Sequence, residues 1–139
     1  MAEACCVPSG NVMILVCSGA SNVGQLANQA AVELTREGFG KMYCLAGVGG
    51  HLSGFVQSAK DVPQMVAIDG CSTGCAKAVL EHAEGPIKHY VVLTDLGIDK
   101  NKDLNLKKDE IERVKTAIKG VCASLGSSRW EIVGRAIPG

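Results

Sequence analysis

The residues that could do chemistry here are thiols. Seven cysteines stand in 139 residues, an odd number and a density below that of small secreted disulfide scaffolds. Such usage in a reducing compartment points to thiolate chemistry or metal binding rather than to structural disulfides. Their positions carry more than their number. Cys17 closes the apolar run Val12–Cys17, Cys44 lies near the end of Lys41–Ala46, and Cys71 with Cys75 follows Gln64–Ile68. If these runs are parallel strands, right-handed crossovers gather their carboxyl ends at one edge, and the four thiols meet there. Four thiolates at about 2.3 Å suit a structural zinc ion, and three with an exogenous ligand suit a site that binds or activates something. The sequence thus points to a zinc site of Cys17, Cys44, Cys71 and Cys75, with His51 as the alternative to Cys44. Asp69 and Asp95, near the same edge, are candidates to orient those ligands or accept a proton. The helix amino termini expected after Cys17 and Cys71 would favour their thiolates.

Two other uses of the same thiols compete. One is metal-free chemistry, either dithiol exchange between Cys71 and Cys75 or nucleophilic attack by Cys17 from its glycine-rich turn. Against it, Val23 stands where a phosphocysteine loop of the Cys-x5-Arg kind needs its arginine, and the Cys71–Cys75 spacing is one residue wider than Cys-x-x-Cys. The other is a noncatalytic metal sensor or delivery module, which would use the same ligands. Whether the chain is an enzyme is left open by these residues. An all-thiolate site favours zinc but also accepts iron, cadmium, copper(I) or an iron–sulfur cluster. Cys5 and Cys6 lie in a lead-in expected to be mobile (residues 1–11), Cys122 is expected in the core, and His82 and His89 are assigned no chemistry.

The elements that must position these thiols can be read from periodicity. Val12–Cys17 is a continuous β-forming run, as in a strand buried on both faces. After the turn Ser18–Gly24, Gln25–Glu37 places Leu26, Ala30 and Leu34 at helical spacing until Gly38 and Gly40 stop it. Lys41–Ala46 reads as the second strand with Gly47–His51 as a flexible exit, and Leu52–Lys60 as a short helix before Pro63. The third strand delivers Asp69, Cys71 and Cys75, and the helix from Cys75 runs to Gly85-Pro86. Ile87–Thr94 is the fourth strand. Between Asp95 and Lys119 fall 13 of the 28 charged residues, a solvated face, while Ile111, Val114, Ile118, Cys122 and Leu125 form an apolar helical stripe. Trp130–Val133 fits a short strand. The alternation predicts one α/β domain over residues 12–139, a mostly parallel sheet of about four strands with helices on both faces.

Composition narrows the function classes. Lysine plus arginine equals aspartate plus glutamate, 14 each, so no global field attracts nucleic acid or an anionic membrane. Aromatic residues are 4% of the chain, too few for base-stacking platforms. The longest apolar run is far below the roughly 20 residues of a membrane span, and Met1–Cys6 shows no export signal. A cytosolic protein is expected, whose partners are a metal ion and an unidentified small molecule or protein.

Taken together, these motifs resemble those of the DGC-domain proteins, zinc-binding proteins named for an Asp-Gly-Cys motif. It stands here as Asp69-Gly70-Cys71, followed by Cys75. The likeness extends to Cys17–Ala27, Cys44–Gly47 and Leu93–Gly97, and so spans most of residues 12–98. It implies a small zinc-binding domain with Cys17, Cys44, Cys71 and Cys75 as matching ligands, and it supplies no reaction.

Overall fold

A computed structural model describes residues 12–123. Cys5, Cys6, Leu125 and the expected strand Trp130–Val133 lie outside the described residues. Four strands, β1 (Val12–Val16), β2 (Gly40–Met42), β3 (Gln64–Asp69) and β4 (His89–Val92), form an all-parallel sheet in the order β2-β1-β3-β4. Five helices accompany them: α1 (Asn22–Arg36), α2 (Leu45–Gly49), α3 (Ser53–Asp61), α4 (Cys75–His82) and α5 (Lys108–Ala123). A single 3-10 turn, Leu93–Leu96, follows β4. The expected α/β architecture is therefore observed.

Period-two alternation divides the core. Val12, Ile14, Val16, Val66 and Ile68 face α1 and α5, which contribute Leu26, Ala30, Leu34, Ile111, Val114 and Ile118. Leu15, Met65 and Ala67 face the other way, onto Val48, Ala59 and Leu80 of α2, α3 and α4. Both sheet faces are covered, which is why the strands read as unbroken apolar runs. Cys122 belongs to the α1/α5 layer, and its burial pushes the thiol up to about 12. A buried ammonium locks that layer: Lys115 of α5 donates to Glu33 at 3.1 Å, to Glu37 and, within its own helix, to Glu112 at 3.2 Å. No helix among the described residues is long and apolar enough to cross a membrane.

The strand order places the site. The chain leaves β1 towards β2 on one side and leaves β3 towards β4 on the other. The crevice outside the carboxyl ends of β1 and β3 is thus the topological switch point, where open α/β sheets hold their ligands. Cys17 extends the β1–β3 ladder there, its amide donating to Ile68 O at 3.0 Å.

Candidate functional site

A cleft of about 750 Å³ opens at the switch point, walled by residues 17–24, the turn 69–75 and the loop 100–102. Cys17, Cys71 and Cys75 all line it, so two strand ends and a helix start bring three of the four expected thiols together. The turn that carries two of them is tightly built. A Cβ on Gly70 would come within 2.7 Å of the Val23 backbone, so the motif glycine lets the β3 exit lie against the start of α1. Gly74 adopts φ 71°, left-handed, as the residue preceding α4.

Asp69 holds this turn in shape. Its carboxylate is 1% exposed and accepts from the amides of Ala76 (2.7 Å) and Lys77 (3.0 Å) and from the Tyr90 hydroxyl (2.7 Å). It thereby ties the end of β3 to the first turn of α4 and to β4, a positioning role. Tyr90 responds in kind: burial and the neighbouring Asp69 raise its hydroxyl pKa well above the ordinary tyrosine value. Asp95, paired with Asp69 in the sequence reading, is exposed and does not line the cleft; it lines a second hollow with Ser72, Lys77 and Tyr90 that shares Thr73 and Gly74 with the cleft.

The thiols differ in their surroundings. Cys17 Sγ accepts the Gly70 amide at 3.3 Å, but burial outweighs this and the Gly19 amide and raises its pKa. Helix-end activation of Cys17 is therefore not what the structure has. The first-turn donors of α1 are taken instead, Gly24 N by Ser21 Oγ at 3.1 Å and Asn22 N by Asn101 O at 3.0 Å. Cys71 is the opposite case. Its sulfur lies 3.4 Å from Thr73 Oγ1 and 3.4 Å from Lys100 Nζ, and the Thr73 hydroxyl and amide, then the ammonium, hold the thiol below its ordinary value. Cys75 is exposed at the start of α4.

Cys44 and His51 stand elsewhere. Neither lines the cleft. Cys44 Sγ accepts the Gly47 amide at 3.3 Å and caps α2, a helix where the sequence suggested a strand end and a flexible exit. The thiol does what a serine or aspartate does at an N-cap. His51, at φ 58°, pairs its Nε2 with Nδ1 of His82 at 2.9 Å. His89 is buried and bonded to Gln64 at 3.2 Å. As the side chains stand, no group of three or more His, Cys, Asp or Glu among the described residues is arranged to hold a metal ion.

Sequence reasoning missed Lys100, Lys102 and Thr73 at the cleft. The lysines sit in the charge-rich stretch read as a solvated face, and no spacing rule singled them out. Thr73 is inside the motif turn, where only the cysteines were weighed.

The DGC domain model matches residues 13–118. The chain is also 32% identical over 119 residues, covering 86% of it and 91% of the relative, to the anaerobic and virulence modulator AnvM of Pseudomonas aeruginosa PAO1. No solved structure matches. The match spans β1 through most of α5 and includes Asp69-Gly70-Cys71: the chain belongs to the DGC-domain family.

Proposed function

We propose that this chain binds one thiolate-preferring metal ion, zinc in the first instance, in the switch-point cleft through Cys17, Cys71 and Cys75. The observation that carries the reading is that three thiols from two adjacent strand ends line one cleft. Their chemistry fits a soft or borderline cation. Gly70 N–H already donates to the Cys17 sulfur, and Lys100 beside Cys71 offsets the excess charge of clustered thiolates. The arrangement is not preassembled, so ligation requires the sulfurs to turn towards a common point; Cys75 is exposed, so its rotation meets little packing, while Cys71 is half-buried against the core. With Cys44 capping α2 and His51 paired to His82, the fourth position falls to a ligand from outside the described residues. Zinc held this way would supply Lewis acidity or an exchangeable coordination position. A reducing, cytosolic setting keeps such ligands available.

Among the roles for such a site, a sensor or delivery module accords best with the relative, which is named as a modulator. Metal-free thiol chemistry is the second reading, favoured by one observation, the Lys100 and Thr73 contacts at Cys71.

Elemental analysis of protein produced with zinc tests the first reading. About one zinc per chain is expected, released in the double variant Cys71→Ser/Cys75→Ser. Metal content unchanged by that variant rejects these ligands, and metal-free wild type transfers the weight to the thiol reading.

A further inference from the structure

The cleft is far larger than an ion needs. Its volume of about 750 Å³ lies in the range of small-molecule sites, against roughly 30 Å³ for one water-sized occupant. Its charge is also one-sided. The loop after the 3-10 turn alternates: Lys100 and Lys102 line the cleft, whereas Asp99 and Asp103 line a different, polar hollow of about 270 Å³. The loop is clamped in this orientation by Asn22 at the start of α1, whose Oδ1 accepts the Asn101 amide at 2.6 Å and whose Nδ2 donates to Asp99 O at 2.8 Å.

The consequence is that the two cations are separated from the carboxylates beside them in sequence. Neither lysine forms an ion pair with a carboxylate among the described residues. The one carboxylate lining the cleft among the described residues, Asp69, is occupied by two amides and the Tyr90 hydroxyl. Helix-end donors do not supply the positive charge either, because the α1 and α4 first-turn amides described above already have partners. What is left is a pair of lysines lining a cleft whose apolar wall is Ala20, Val23 and Leu45.

We propose that the cleft takes a small organic anion, its carboxylate or phosphate on Lys100 and Lys102 and its body against that wall, beside the Cys71 sulfur. This rests on the reading of the cleft as the functional site, and it does not require the ion.

The test compares two alkylating reagents on metal-free full-length protein, scored at each cysteine by peptide mass spectrometry. Iodoacetate is an anion and iodoacetamide is neutral; with each, the Cys71 thiolate forms an S–C bond and iodide leaves. Both consume the same thiolate, so a change in thiol acidity cancels in their rate ratio. Lys100→Gln/Lys102→Gln should lower the iodoacetate-to-iodoacetamide ratio at Cys71 about tenfold, as expected for loss of local steering, and leave the ratio at Cys44 unchanged. An unchanged ratio at Cys71 overturns the proposal. A second arm asks whether inorganic phosphate or malonate, against a chloride control of equal ionic strength, protects Cys71 from iodoacetamide saturably. Protection by phosphate alone points to a phosphate ligand and by malonate alone to a carboxylate; protection by neither overturns the proposal. The lysines are exposed, so the variant should fold, and zinc content is read on the wild-type protein, in which both lysines are present. An unchanged ratio at Cys71 with about one zinc per wild-type chain thus rejects the anion alone, and a roughly tenfold fall in the ratio with no zinc on the wild-type chain rejects the metal alone.

Discussion

The exits of β1 and β3 and the exit of β2 carry the same local signature, a cysteine at a strand end followed within a few residues by glycine, and they come to different uses. At β1 and β3 the thiols line a common cleft. At β2 the thiol caps a five-residue helix and does not line that cleft. The difference is one of position in the sheet. β1 and β3 are adjacent central strands whose chains depart in opposite directions, which opens a crevice between them. β2 is a three-residue strand that has no outer neighbour among the described residues, and its chain turns at once into α2. A cysteine at a strand end is therefore a candidate ligand only where the strand order supplies a crevice for it to enter.

Substitutions at the two exits should separate them most strongly in metal binding. Cys17→Ser should weaken zinc affinity at least about 100-fold, since two remaining thiolates make a poor site, while Cys44→Ser should stay within about twofold, both read by competition with a chromophoric chelator. Equal losses would erase the distinction drawn here. Next comes stability. Asp69→Ala strands two amides and the half-buried Tyr90 hydroxyl at the β3 exit and should cost about 3 kcal/mol in denaturant unfolding. A loss under 1 kcal/mol would mean that the turn is held by something other than this carboxylate.

Lys115 serves as a reference remote from both exits. Lys115→Met should cost about 2 kcal/mol and leave zinc binding unchanged. Its acid dependence follows from the partners. Glu33, bonded by Gln29 and then Lys115, and Glu37, bonded by Lys115, are held below the ordinary value of 4.5. Groups with lowered folded pKa stabilise fully above the unfolded value and lose that contribution as pH falls through the folded one. Wild type should therefore lose stability below about pH 4.5, and Lys115→Met should lose less over the same interval; equal acid limbs would contradict the network. The smallest effect belongs to the β2 exit, where Cys44→Ala removes a thiol cap and should cost only about 0.5 kcal/mol.

Much of this was legible because burial on both faces writes itself into the chain. The runs at Val12, Gln64 and Tyr90 could not be amphipathic, and the stripe Ile111, Val114, Ile118, Cys122 could only be a helix against the sheet. That Cys17, Cys71 and Cys75 line one cleft was legible because their strands are long enough to be recognised and are neighbours in the sheet. The β2 region was not. Lys41–Ala46 has strand composition, but only Gly40–Met42 pairs, because the next residues are claimed by a helix whose cap is a sulfur rather than a familiar oxygen. Lys100 escaped for a different reason. Its contact with Cys71 spans 29 residues and depends on Asn22 clamping the loop, a tertiary fact that no local periodicity encodes.

X-ray absorption at the zinc edge of the reconstituted protein reports the number of sulfur ligands directly. Three sulfurs and one lighter donor are expected, unchanged in Cys44→Ser. Four sulfurs in wild type falling to three in Cys44→Ser would contradict this, because the β2 thiol would then have joined the centre from which the sheet order separates it.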